Sequence, residues 1–122
     1  MNTLDKGHIG ENIACDFLHK HGYGILHRNW WCQWGEIDII AHSCNGTIVF
    51  VEVKSAGGDK FGDPVEWVTR RKVERIVKSA SQFLLDSDVD DVPLRFDIIT
   101  VDLRTREATH YPDAFMADGC ES

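Results

Sequence analysis

Gly35-Glu36-Ile37-Asp38-Ile39-Ile40, followed by Val49-Phe50-Val51-Glu52-Val53-Lys54, decides how this chain folds. Both stretches are built on Ile, Val and Phe, which favour pleated strands, yet each carries charge inside it. Period-two alternation sets Glu36 and Asp38 on one face of the first strand, and Glu52 and Lys54 on one face of the second. The run Ile48-Val49-Phe50-Val51 has no polar member, as expected of a strand covered on both sides. A charge in such a sheet is costly unless it is paired, holds a metal ion or takes part in chemistry.

Asn45-Gly46 stands between the two strands, and the length of the turn there fixes which residues face each other. A two-residue turn would oppose Asp38 to Val53 and put an acid on an apolar face. A three-residue loop, Cys44-Asn45-Gly46 with Gly46 left-handed as a bulge, opposes Asp38 to Glu52 and Glu36 to Lys54. Only the second register keeps every charge on one face, so it is the one expected.

Working outward, Ile9, Ile13, Ala14, Phe17 and Leu18 recur at helical spacing between about Asp5 and Tyr23, with Gly22 and Gly24 as the stop. Ile25 to Trp31 is a first short strand ending in a turn near Gln33-Trp34-Gly35. A glycine-bearing loop runs from Ser55 to Pro64. A long helix is expected over Val65 to Leu85, with the stripe Val68, Val73, Ile76, Val77, Ala80, Phe83 and Leu84. Leu94 to Leu103 and Ala108 to Tyr111 close the chain as strands. The order αβββαββ mixes hairpins with a helical crossover, which implies an α/β fold: a mixed sheet flanked by helices.

With 122 residues the chain fits one domain, 1–122, with a disordered tail expected from about residue 116. Hydrophobic residues make up 43% and charged residues 27%, the balance of a globular protein. No stretch approaches the roughly 18 apolar residues of a membrane span, and the first residues lack the apolar core of a signal peptide. A cytoplasmic location and no membrane partner follow as the default. Cys15, Cys32, Cys44 and Cys120 show no metal-ligand spacing and are expected as reduced thiols. The net charge of −7 argues against coating nucleic acid by bulk electrostatics. It leaves room for a local basic face, because Arg70, Arg71, Lys72, Arg75 and Lys78 crowd one helical stretch.

Two carboxylates facing each other about 4 Å apart repel by roughly 4 kcal/mol at an effective dielectric of 20. A divalent cation reverses that sign. Asp38 and Glu52 supply hard oxygen ligands suited to Mg²⁺ or Mn²⁺, and Lys54 stands two residues along to position a water or to stabilise charge developing on a phosphate. These are the parts for metal-dependent phosphodiester hydrolysis. The plain alternative is cross-strand ion pairing on a solvated face, which the apolar run before Glu52 disfavours.

Lys72 is a second anomaly, four residues after Val68 and four before Ile76 in the apolar arc of the long helix; snorkelling is its ordinary explanation. Glu11 lies in line with Ala14 and Leu18 at the margin of the first helix's stripe, where a solvated helix face is the ordinary case. Arg28, Arg70, Arg71 and Arg75 are candidate phosphate contacts, although surface charge on a helix commonly serves solubility alone. Trp30, Trp31 and Trp34 can stack on unpaired bases, while core or edge packing is the commoner use of tryptophan.

These motifs, in order, resemble the YraN family of uncharacterised bacterial proteins, itself similar to Holliday-junction resolvases of the PD-(D/E)xK nuclease superfamily. The resemblance covers nearly the whole chain: Gly10-Glu11, Arg28-Asn29-Trp30, Gly35-Glu36-Ile37-Asp38, Phe50-Val51-Glu52-Val53-Lys54, Phe61-Gly62, Lys72 with Ile76 and Ala80, Arg95-Phe96-Asp97, and Ala114-Phe115. It implies a restriction endonuclease-like fold and an Mg²⁺- or Mn²⁺-dependent endonuclease acting on DNA, branched DNA included. It also implies that Asp38, Glu52 and Lys54 hold the metal-binding and catalytic positions, with Glu11 and Lys72 as auxiliaries. A resolvase needs two active sites on paired strands, so a homodimer is its corollary. Where the family usually has Thr-Arg after the lysine, this chain has Ser55-Ala56, which removes a cation. Folds of this kind also serve as nucleic-acid-binding modules without catalysis or as protein-interaction domains, and these are the alternative readings.

Overall fold

A computed structural model describes residues 3–57 and 69–115. Helix α1 (Thr3–Lys20) leads into β1 (Gly24–Cys32), β2 (Gly35–His42) and β3 (Ile48–Ala56); α2 (Arg70–Asp86) then leads into β4 (Leu94–Asp102) and β5 (Glu107–Phe115). The five strands form one sheet in the order β1-β2-β3-β4-β5. Among the described residues only β3 and β4 run parallel, their connection passing through α2; the other neighbours are antiparallel. The fold is thus the expected α/β arrangement αβββαββ, a mixed sheet with one helix on each face.

Each helix seals one face of the sheet. Ala14 and Leu18 of α1 pack on Ile39, Ala41, Val49, Val51, Ile99 and Val101. Ile76, Ala80 and Phe83 of α2 pack on Ile37, Ile40, Ile48, Phe50 and Phe96. Strand β3 is sandwiched, with Ile48, Val49, Phe50 and Val51 all buried, as its unbroken apolar run requires.

The helix ends follow from local chemistry. Tyr23 N–H bonds the Leu18 carbonyl at 3.0 Å and Gly22 N–H bonds that of His19 at 3.1 Å. This paired closure needs a left-handed residue, and Gly22 supplies it at φ +89°. Val89 and Asp88 repeat the pattern on Leu84 and Leu85 at the end of α2, with Asp88 at φ +54° in the place glycine usually takes. The start of α2 corrects the sequence expectation. Thr69 is extended (φ −71°, ψ 160°) and its hydroxyl accepts the Lys72 N–H, so it caps a helix beginning at Arg70, and no unbroken helix runs from Val65.

Two further boundaries differ. Ser55 and Ala56 belong to β3, where they pair with Val101 and Asp102, rather than to a loop. Strand β5 extends through Pro112 to Phe115, because a bulge opposite Asp97 accommodates the proline and left-handed Asp113. The remainder of the glycine loop, Val65 to Val68, Phe61-Gly62, the tail from residue 116 and Cys120 lie outside the described residues. Cys15, Cys32 and Cys44 are free thiols. Among the described residues no helix is long and apolar enough to cross a membrane.

The β2–β3 turn has the expected register. Ile39 pairs with Val51 and His42 with Ile48. Gly46 N–H bonds the Ser43 carbonyl at 3.1 Å, and Gly46 is left-handed at φ +90°. Asp38 and Glu52 lie just beyond the last pair of this ladder, Ile39 and Val51.

Candidate metal centre

Past Ile39 the regular ladder between β2 and β3 stops. Ile37 and Ile40, three residues apart, pack toward α2, whereas Ile39 and Ala41 pack toward α1. The alternation of β2 therefore slips at Asp38. Its carboxylate Oδ2 takes the Val53 N–H at 2.8 Å, so a side chain stands where a strand carbonyl would be in an unbroken ladder. The partner strand slips with it: Asn29, at φ +51°, falls between the pairs Arg28↔Ile39 and Trp30↔Ile37. Asparagine tolerates the left-handed region better than most residues.

The slip gathers acidic groups. Asn29 Nδ2 donates to Glu36 Oε1 at 3.1 Å and to Glu11 Oε2 at 3.0 Å, tying β1 to β2 and to α1. Helix α1 can reach this end of the sheet because Gly10 has no side chain: a Cβ there would overlap Ser55 Oγ and lie 3.0 Å from Ser55 Cβ. Glu11, Glu36 and Asp38 each offer an oxygen, and these atoms lie within 4.8 Å of one another. Glu11 is only 9% exposed, and its second oxygen, Oε1, is buried with no hydrogen-bond partner. A buried carboxylate oxygen left without a donor is costly, and a cation satisfies it.

Burial pushes the Asp38 carboxyl up to about 8; the charge of Glu52 adds to this, the Val53 N–H opposes it, and Glu11 and Glu36 contribute smaller upward pushes. Three acids thus act on the Asp38 carboxyl here. A hard all-oxygen donor set of this kind fits Mg²⁺ or Mn²⁺.

The sequence candidates do not all converge. Asp38 and Glu11 meet as described. Glu52 is close enough to act on Asp38 electrostatically, but its Oε1 is ion-paired to Lys72 Nζ at 2.8 Å, which places Lys72 beside the site from α2. Lys54 is exposed near the end of β3. The arginines do not form one surface: Arg28 donates to Asn12 Oδ1 at 2.6 Å on the α1 side, whereas Arg70, Arg71 and Arg75 are exposed on α2. The Arg75 stem lies over Gly35, where a Cβ would come 3.0 Å from its Cδ. Of the tryptophans, Trp30 packs edge-on against Phe83 at 5.5 Å, the use expected of it. Trp31 departs from that use at 71% exposed, and Trp34, 40% exposed, lies under Lys78 at 4.8 Å.

Two participants escaped the sequence. Glu36, expected opposite Lys54 in a flat ladder, turns instead toward Glu11 and Asn29. Asn29 carries one faint signal, its tolerance of positive φ between two strand-forming stretches. Away from the site, Asp97 is fully buried in β4 and accepts from Arg95, His110 and the Asp113 N–H. In the sequence that cluster is signalled by an aspartate within the apolar stretch Phe96-Asp97-Ile98-Ile99.

Similar proteins place the chain. It is 47% identical over 118 residues to a UPF0102 protein of Persephonella marina, covering 97% of this chain and 99% of the relative. It is 40% identical over 115 residues to one of Clostridioides difficile, covering 94% and 100%. Among solved structures, an EndoMS–dsDNA complex aligns with 72% of this chain and 34% of that one, at 18% identity and a TM-score of 0.41. Pyrococcus furiosus SfsA in complex with Ca²⁺ aligns with 91% and 64%, at 15% identity and a TM-score of 0.37. At these scores the functional reading rests on the site and not on either neighbour. Residues 10–101 match the uncharacterised protein family UPF0102, the YraN family that the motifs resemble, and the chain belongs to it.

Proposed function

We propose that this protein is a divalent-metal-dependent nuclease that hydrolyses DNA phosphodiester bonds at the splayed end of β2 and β3. The observation that carries the reading is the crowding of Glu11, Glu36 and Asp38, with an orphaned buried oxygen on Glu11 and an Asp38 carboxyl pushed up to about 8. Asp38 and Glu52, with Glu11 and Glu36, would hold Mg²⁺ or Mn²⁺. Bound there, the ion supplies Lewis-acid polarisation of the phosphoryl oxygens and a lowered pKa for water.

The chain's own residues do the rest. The Val53 N–H fixes the orientation of Asp38, and Asn29 fixes Glu11 and Glu36. Lys72 offsets the Glu52 charge until a phosphate arrives. The Lys54 ammonium donates to a water or to a phosphoryl oxygen on which charge develops. Arg70, Arg71 and Arg75 on α2 take neighbouring phosphates and bring the strand to a site that alone repels it.

The test is incubation of wild type and Glu52→Ala with labelled linear, single-stranded and four-way-junction DNA in Mn²⁺, Mg²⁺ or chelator. Cleavage that disappears on substitution and on chelation is the expected result. A second reading, nucleic-acid binding without cleavage, draws on the Lys72–Glu52 ion pair as a purely structural contact. It predicts salt-sensitive binding that survives Glu52→Ala, with no product in any metal.

A further inference from the structure

We propose that Trp31 is a stacking platform for a nucleobase, and that the DNA offered to the carboxylate cluster carries an unpaired base beside the phosphate to be cut. The substrate half of this statement rests on the hydrolytic reading of the cluster; the stacking half does not.

Trp31 is paired directly with Glu36 across β1 and β2. Side chains of an opposed antiparallel pair leave the same face of the sheet, with Cβ atoms about 4.5–5.5 Å apart. Trp30, the preceding residue, enters the α2-side core, so alternation sends Trp31 to the opposite face, the one carrying Glu36 and the Asn29 amide. The indole is therefore the immediate neighbour of a candidate metal ligand.

At 71% exposed, it leaves in water a side chain that normally buries a large apolar area. Among the described residues no ring or cation covers it, in contrast to Trp34 beneath Lys78. The β1–β2 ladder continues past Trp31 to Cys32↔Gly35, so the ring stands on a paired stretch of strand.

The surroundings select the partner. Glu36, Asn29 and Gln33 are polar, so Trp31 is not the centre of an extended apolar patch of the kind that docks a protein. Carboxylates next to the ring repel a bare phosphate but leave a flat, uncharged π-surface unaffected. Once a divalent cation offsets the carboxylates, as the hydrolytic reading requires, a nucleotide suits both neighbours at once, its base on the indole and its phosphate at the cluster. Bases within a duplex keep both faces against their neighbours, so the stacked base must be unpaired, as in a single strand, a flap or an opened junction.

Binding of fluorescein-labelled short oligothymidylate, of the same oligonucleotide with abasic sites, and of a blunt duplex is measured by anisotropy for wild type, Trp31→Ala and Trp31→Phe. Ca²⁺ and chelator are compared, and each oligonucleotide is checked on a gel for integrity. The expected result is that Trp31→Ala weakens oligothymidylate binding about 5- to 150-fold and Trp31→Phe recovers most of it. Abasic substitution costs wild type a similar factor, and duplex binding is unchanged. Equal affinities of wild type and Trp31→Ala for oligothymidylate, an equal loss on duplex, or no wild-type binding to any oligonucleotide overturns the proposal. Cleavage in Mn²⁺ is scored separately: Trp31-dependent binding without cleavage supports stacking and removes the hydrolytic reading, whereas cleavage with Trp31-independent binding overturns stacking alone.

Discussion

Asp38→Asn should make the metal-free protein more stable while removing its response to metal. In the unfolded chain the Asp38 carboxyl titrates near 3.8, and in the fold it is pushed up to about 8. A carboxyl raised on folding contributes most below its unfolded value, and that contribution is lost as pH rises through its folded value. Each pH unit between the two costs about 1.4 kcal/mol, so proton uptake by Asp38 opposes folding by about 4 kcal/mol at pH 7. Asparagine keeps an acceptor for the Val53 N–H and presents a donor to the neighbouring carboxylates. Set against about 1–3 kcal/mol for burying the amide, the net gain is about 1–3 kcal/mol at neutral pH. Urea denaturation in chelator should show wild-type stability falling from roughly pH 5 to 8, and a flatter profile for Asp38→Asn. Mn²⁺ at about a hundred times its dissociation constant should return about 2.7 kcal/mol to wild type and nothing to the variant. A variant less stable than wild type at pH 8 in chelator, or one stabilised equally by Mn²⁺, would refute the reasoning.

Gly10→Ala gains helix propensity but drives a Cβ into Ser55, so it should destabilise by about 1–3 kcal/mol and weaken Mn²⁺ binding as Glu11 is displaced, both readable by calorimetry. Asp88→Gly relieves a left-handed aspartate at the end of α2 and should add about 0.5–1 kcal/mol in urea denaturation with metal binding unchanged. Asp97→Ala leaves Arg95 and His110 facing an empty site and should cost about 3–5 kcal/mol. Burial alone would raise the Asp97 carboxyl, but bonds from His110, Arg95 and the Asp113 N–H outweigh it and hold it below the ordinary range. Its contribution is therefore complete above about pH 4 and lost as pH falls further, so the acid-unfolding limb should flatten in Asp97→Ala.

The element order was legible because apolar periodicity and turn residues agree along most of the chain. The β2–β3 register was legible for a sharper reason: a glycine at the third loop position and charges at fixed parity left one solution. Lys72 was legible as an ion in an apolar stripe, and Glu52 is the partner that explains it. What stayed hidden depends on departures from ideal geometry. Thr69 ends the helical pattern through its capping hydroxyl, which the stripe continuing to Val68 obscured. The bulge of β5 opposite Asp97 let a strand pass through Pro112. Glu36 and Asn29 enter the site only because both strands slip phase at Asn29 and Asp38, and strict alternation is the assumption that such a slip breaks.

That slip also divides the sheet mechanically. Ile39 to His42 is clamped by β1 on one side and β3 on the other, whereas Gly35 to Ile37 is laddered to β1 alone. The outer piece of β2 and the tip of β1 form a two-stranded ribbon hinged where Asp38 meets Val53. Glu36 and Trp31 ride on the ribbon, while Glu52 belongs to the clamped core of the sheet. The acidic cluster thus spans the boundary between strand laddered on both sides and ribbon laddered on one, and a cation bound across it would tie the two together. Amide exchange at Glu36 and Ile37 should then slow on addition of Mn²⁺, while that at Ile40 and Phe50 stays as it was.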